Sequence, residues 1–281
     1  MSETAVLIPL YSGKISLVEL LTIENNISKL NNYSIFIICP EVLDFSVFPT
    51  WLQHQKKITF PSNHFESLEA YNKLLRSTEF YSKFTDYQYI LILQTDAYIF
   101  EDTLPKFTSQ DYDYWGAPWI DYELINYIFL RPVLPLFHKS RHLKWARNFI
   151  GPKYLVGNGG LSLRKVRTHL EITEKYRDKI IEFESHHDEW IKLKAKSMME
   201  DLFWCFYAPQ FYPDYKVAPW QEALKFSFEM NPSRAFDLND KKLAFGCHAF
   251  AKTDPEFYSQ FIPFLRLGNQ EVSPRANTAV V

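Results

Sequence analysis

Cysteine is scarce in this chain, with Cys39, Cys205 and Cys247 the only three in 281 residues. They are odd in number, lie far apart and form no Cys-x-x-Cys pair. That argues against a disulfide scaffold and against a zinc knuckle, and it fits a reducing compartment. Long apolar runs are missing too. No stretch approaches the roughly 20 residues of a membrane span, and Ala5 to Leu10 is too short for a secretory signal and has no basic residues before it. A cytoplasmic protein is expected. Neither charge dominates: the net charge is −2, so no global field advertises nucleic acid, and no nucleic-acid partner is expected. Glycine is sparse, and no Gly-x-Gly-x-x-Gly follows the first apolar run, which disfavours an ordinary dinucleotide fold. Internal repeats and low-complexity linkers are absent. A single domain over residues 1–267 is the default, with the aperiodic residues 268–281 as a loose tail.

What is present is an alternation of elements. Ala5 to Leu10 reads as a buried strand, and Leu17, Leu20, Leu21 and Ile27 then give an apolar face at helical spacing. Ser34 to Cys39 and Lys57 to Phe60 read as further strands, each stopped by a proline, and Ser67 to Ser77 as a helix. Tyr89 to Leu93 is a branched apolar run ending at Gln94-Thr95-Asp96. Such a run is a strand buried on both faces, at the centre of a mostly parallel sheet. The pattern is α/β with right-handed crossovers. Ligands in open α/β sheets gather at the carboxyl ends of the strands, which is where Asp96 stands; a bland turn cap is the alternative.

Three later stretches carry chemistry. Val156-Gly157-Asn158-Gly159-Gly160 places three of only eight glycines within four positions. Either the backbone approaches a ligand there, or Asn158-Gly159 is a hairpin turn. Glu200-Asp201 opens an aromatic segment, as general acid–base residues or as acids favoured in a first helical turn. His248 follows Gly246-Cys247 as a candidate ligand or an ordinary structural histidine.

Aromatic residues make up 17% of the chain, more than a core demands. Trp115 and Trp119, around Gly116, could form a platform for a sugar ring or simply wall the core at a sheet edge. Trp220, Glu222, Phe228 and Glu229 set further aromatics beside acids and are placed near an acceptor. Residues 131–153 hold Arg131, Lys139, Arg141, Lys144, Arg147 and Lys153 without one acid, interleaved with Phe137, Trp145 and Phe149. That composition suits an anionic bilayer surface, and equally a solvated face.

Taken in order, Leu91-Ile92-Leu93-Gln94-Thr95-Asp96-Ala97, Trp115-Gly116-Ala117-Pro118-Trp119, Val156 to Gly160, Glu200-Asp201 and His248 resemble the nucleotide-sugar glycosyltransferases of the GT-A fold. The first four of these phrases, without His248, more closely resemble a largely bacterial group long listed as a domain of unknown function and now placed among glycosyltransferases. The resemblance spans Ala5 to Phe250. It implies a Rossmann-like mixed, mostly parallel sheet with flanking helices. It also implies a nucleotide-sugar donor (a UDP-hexose), a glycan or lipid-linked acceptor, and work in bacterial surface polysaccharide synthesis. By the same resemblance Asp96 and His248 hold Mn2+ or Mg2+. Asp201 is the candidate general base, with Glu200 orienting donor or acceptor hydroxyls; a base opposite the leaving group implies inversion, whereas retention needs a different geometry. Pro9, Tyr11, Tyr71, Gln94, Thr95, Asp96, Asn158, Gly159 and Gly160 then face the donor. One departure stands out: the first acid of the family's Asp-x-Asp is Gln94 here, which contributes an amide oxygen but no charge. Two other classes fit the composition, a non-catalytic carbohydrate-binding protein and a sugar-nucleotide nucleotidyltransferase. The latter needs a Gly-rich, Arg-containing loop that Tyr11-Ser12-Gly13-Lys14 does not supply.

Overall fold

The computed structural model describes residues 4–123, 154–185 and 199–265. The basic stretch at 131–153 and the expected tail at 268–281 lie outside them. Strands β1 (Thr4–Pro9), β2 (Ser34–Pro40), β3 (Lys56–Phe60), β4 (Tyr89–Leu93), β6 (Tyr114–Trp115) and β9 (Leu161–Lys165) form one sheet in the order β3-β2-β1-β4-β9-β6. β1 pairs in parallel with both β2 and β4, and β2 with β3, whereas β9 runs antiparallel to β4 and to β6.

The apolar runs are continuous because both faces of this sheet are covered. Val6, Ile8, Leu91 and Leu93 enter one core, while Ala5, Leu7, Ile90 and Ile92 enter the other. Each of the valine, leucine and isoleucine side chains, fully buried, contributes about 1.5–3 kcal/mol. The aromatic surplus is spent largely on packing: Phe203 meets Trp204 with ring centroids 4.8 Å apart and Phe183 at 5.3 Å.

The first helix, α1 (Leu17–Lys29), starts in a full capping box: Ser16 accepts the Glu19 amide, and Glu19 accepts the Ser16 amide at 2.9 Å. The helix expected over Ser67 to Ser77 runs over Leu68–Leu74, and a second helix, Thr78–Ser82, follows it. Ser77 accepts the Phe80 amide at 3.1 Å, so it begins the second helix rather than ending the first.

Strand order reverses between β1 and β4. β1 leads outward to β2 and β3 on one side, and β4 returns on the other. This is the topological switch point, and open α/β sheets have their ligand crevice at the carboxyl ends of such strands. Beyond them a small sheet stands in the order β10-β11-β5, from Ser227–Phe228, Gly246–His248 and Ala97–Ile99. β7 (Ala117–Glu123) pairs with β8 (Tyr154–Gly157) in a separate ribbon. Asn158 to Gly160 therefore carry the chain from that ribbon into the main sheet. They do not form the hairpin turn that Asn158-Gly159 also allowed.

Candidate active site

The turn after β4 puts Asp96 at the head of β5, and the antiparallel pairing of β5 with β11 sets His248 opposite Ala97. His248 Nε2 lies 3.2 Å from Asp96 Oδ1 and 3.3 Å from Gln94 Oε1, and Nδ1 lies 3.0 Å from Glu229 Oε1. Lys252, one helical turn on, donates to Asp96 Oδ2 at 2.7 Å. Burial works against the Asp96 charge, but His248 and then Lys252 outweigh it and hold the carboxyl far below its ordinary range. Burial likewise pulls His248 down, yet Asp96 and Glu229 overcome it and lift the imidazole to about 9.

The glycine-rich segment forms the wall of this cluster, and its glycines serve by lacking a side chain. A Cβ on Gly160 would lie 2.1 Å from His248 Nε2, and one on Gly159 would lie 2.2 Å from Glu200 Oε1. Only Asn158 takes a left-handed conformation, at φ 80°. Its side chain stabilises that turn by accepting the Gly160 amide at 2.9 Å.

Glu200 and Asp201 sit behind the segment at the start of helix Glu200–Leu202, which runs on through a π-helical turn, Phe203–Tyr207. Asp201 accepts the Asn158 amide at 2.8 Å and the Leu202 amide at 2.9 Å and is 3% exposed. Burial, then Glu200, raises its carboxyl to about 7. Glu200 Oε1 accepts from Arg164 at 2.7 Å, while its Oε2 is buried with no partner among the described residues. Arg164 is wholly buried on β9 and also reaches Tyr81 and Ser162, at 3.1 Å each.

On the β1 side, Pro9 ends the strand inside the core, and Tyr11 follows it two-fifths exposed, edge-on to the buried Tyr71 at 5.0 Å. Thr95 donates to Glu19 at 2.7 Å. The same carboxylate caps α1, so that helix start is already filled by an internal anion. An incoming anion would meet that carboxylate there rather than free helix amides.

Pro9, Tyr11, Tyr71, Gln94, Thr95, Asp96, Asn158, Gly159, Gly160, Glu200, Asp201 and His248 thus all line or back the crevice. The expected acceptor residues divide. Trp119 is partly exposed, with its indole against Gly157, beside the glycine-rich turn. Trp115 is fully buried among Phe107, Tyr112 and Phe226 and has no face to offer a sugar; it is a core wall. Trp220 stands on helix Trp220–Phe226, edge-on to Tyr154 at 5.1 Å, as part of the packing around the small sheet. Glu222 pairs with Lys225 at 2.7 Å in a groove with Phe245 and Phe100, at the end of the β5–β11 ribbon remote from His248. The structure does not bring Glu222 to the cluster around His248. Arg164, Lys252 and the contact of Glu229 with His248 were not expected. A signal existed for Arg164 alone, as a cation inside the apolar strand Leu161 to Val166.

The residues suit a divalent ion. Two ligands about 2.1 Å from an ion and at right angles lie about 3.0 Å apart, close to the His248–Asp96 spacing of 3.2 Å. Gln94 Oε1 adds a neutral oxygen, and the missing Cβ of Gly160 leaves the space clear. Among the described residues no group of three or more His, Cys, Asp or Glu side chains is arranged to hold an ion by itself. Such an ion needs phosphate oxygens to complete its shell, as magnesium and manganese commonly do.

Solved structures share this architecture. The galactosyltransferase LgtC, in complex with donor and acceptor sugar analogues, matches at 11% identity and a TM-score of 0.50, over 96% of this chain and 98% of that one. An active-site variant of LgtC gives 11%, 0.52 and the same coverage. The bifunctional glycosyltransferase WbbM gives 12% and 0.51, over 94% of this chain and 50% of that one. The fold is the GT-A glycosyltransferase fold. The chain itself belongs to DUF5672, a family described as proteins of unknown function, whose model matches residues 54–248. No curated protein matches it in sequence.

Proposed function

We propose that this protein is a metal-dependent glycosyltransferase. It moves a hexose from a UDP-sugar to a hydroxyl of a glycan or lipid-linked acceptor, in bacterial surface polysaccharide synthesis on the cytoplasmic side of the membrane. The observation that carries the reading is the convergence of Asp96, Gln94 and His248 beside Gly160 at the switch point of the sheet. Asp96 and His248 would hold Mn2+ or Mg2+, which supplies Lewis-acid neutralisation of the departing diphosphate. Lys252 adds a mobile cation at the same carboxylate, and Tyr11 offers its exposed ring to the base. The burial of Trp115 removes the main support for a purely carbohydrate-binding role.

For the acceptor's proton the candidate is Asp201. A carboxyl raised to about 7 lies near the pH at which a general base is most effective. Glu200, held by Arg164, stabilises positive charge developing on the sugar ring. A base opposite the leaving group gives inversion.

The test is a donor-hydrolysis screen over UDP-, GDP-, CMP- and dTDP-sugars. UDP-hexose turnover should vanish in EDTA and return with Mn2+. Full turnover in EDTA would remove the metal, and no turnover of any donor would remove the enzyme. Asp201→Asn should lower turnover by about 10²–10⁴ with UDP affinity unchanged. Loss of both together would assign Asp201 to bracing the Asn158 turn instead.

A further inference from the structure

His248 has two ring nitrogens, and the small sheet aims them at different neighbours. β10 and β11 run parallel, with Ser227 opposite Gly246 and Phe228 opposite Cys247. The next pair in register is Glu229 and His248, and Glu229 Oε1 stands 3.0 Å from His248 Nδ1. Across the other edge of β11, the pairing with β5 brings Nε2 toward Asp96 and Gln94, at 3.2 and 3.3 Å. Gly160 leaves the Nε2 side open only by lacking a side chain, since a Cβ there would lie 2.1 Å from Nε2. The imidazole is 15% exposed and the Glu229 side chain 19%.

A neutral imidazole carries one N–H, and a carboxylate can only accept it. Carboxylates face both nitrogens, Glu229 at Nδ1 and Asp96 at Nε2, so the metal-free ring keeps both protons; an ion at Asp96 would take the place of the Nε2 proton, while Glu229 keeps the one on Nδ1. A carboxylate behind a histidine in this way fixes both tautomer and ring angle, and it makes the free nitrogen more basic toward a metal.

We propose that Glu229 is the positioning residue for His248: it holds the Nδ1 proton and so presents Nε2 to a divalent ion. The inference rests on the metal reading above, yet it assigns Glu229 no contact with donor, acceptor or ion. Its effect is on the affinity of the ion, ahead of any chemistry.

The test uses Mn2+, titrated by electron paramagnetic resonance into the full-length protein with UDP at a fixed concentration to complete the shell of the ion. Glu229→Leu should weaken Mn2+ binding about 10–100-fold. Glu229→Gln, whose amide oxygen still accepts the Nδ1 proton, should recover most of that loss. His248→Gln combined with Glu229→Leu should bind no more weakly than His248→Gln alone, because Glu229 acts only through the ring. Circular dichroism melts of each variant separate unfolding from loss of affinity, and the Glu229→Gln comparison stands if Glu229→Leu fails to fold. Mn2+ affinity unchanged in Glu229→Leu, or additive losses in the double variant, would overturn the proposal while leaving the metal reading intact. A wild type that binds no Mn2+ and turns over donor in EDTA would overturn both.

Discussion

Gly160 has no side chain because His248 occupies the space one would need. Gly160→Ala should displace the imidazole from a 2.1 Å clash and cost about 1–3 kcal/mol of stability, as overpacking does. The checks are a urea titration and the rate of UDP-hexose hydrolysis, which should fall at least 10-fold. Gly159→Ala strikes Glu200 instead and should leave Mn2+ affinity intact. Charge at the same residues predicts a pH profile for the metal-free protein. His248 is raised from 6.5 to about 9 when folded, so its contribution to stability is complete below 6.5 and is lost as pH rises to about 9. Asp201, raised from 3.8 to about 7, gives its contribution up between those two values. Asp96 acts in the opposite sense: its carboxyl is lowered from 3.8, and its contribution is lost only as acid protonates it below that value. The buried His169, held well below its ordinary value by burial, acts against the Asp201 decline below pH 6.5. The decline of melting in EDTA should therefore be clear from about pH 6.5 to 9, by at most about 1.4 kcal/mol per pH unit for each proton. His248→Gln should flatten the part above 6.5. A profile of His248→Gln that parallels wild type up to pH 9 would show that the imidazole is not raised.

At the scale of elements, the pivot is the join between β9 and the helix that begins at Glu200. Arg164 on β9 is wholly buried, and its salt bridge to Glu200 at 2.7 Å ties the strand to the helix start. Breaking a buried pair from one side strands the other charge, so Arg164→Met should cost about 3–5 kcal/mol in chemical denaturation. Converting both residues, with Glu200→Met added, should recover part of that loss. Equal destabilisation in the single and double variants would show that Arg164 matters by its volume and its bonds to Tyr81 and Ser162. Glu200-Asp201 was legible as a pair of acids opening a helix, and so was the dense glycine segment. Their mutual bracing was not, because Asn158 and Asp201 are 43 residues apart and meet only when β8 hands the chain to β9.

For the molecule as a whole, the crevice at the end of β1 and β4 collects residues from five separated stretches, Tyr11, Asp96, Gly160, Asp201 and His248. No helix among the described residues is long and apolar enough to cross a membrane. A lipid-linked acceptor would therefore bring this protein to a bilayer face, and the basic stretch from Arg131 to Lys153 has the composition for it. Each cation near an anionic surface adds about 1 kcal/mol, weakened by salt. Anionic vesicles should sediment the wild type at low salt, and charge reversal at Lys139, Arg141 and Lys144 should abolish that while sparing turnover on a soluble acceptor. No sedimentation at low salt would leave the stretch a solvated face or an acceptor loop.

Local chemistry by itself determined the strand series, because both faces of β1, β2 and β4 are covered and their apolar runs are correspondingly unbroken. It also determined Asp96, the glycine-rich segment and His248, whose residue types are tied to backbone or ligand demands that a short stretch already displays. Tertiary structure decided how they are used. Trp115 became core because β6 lies between Phe107 and Phe226. Glu222 went to the far end of its ribbon, and Glu229 came to His248 through the register of two short strands. Partnerships of this kind depend on register and strand order, which contacts between distant segments settle and a linear pattern of residue types does not encode.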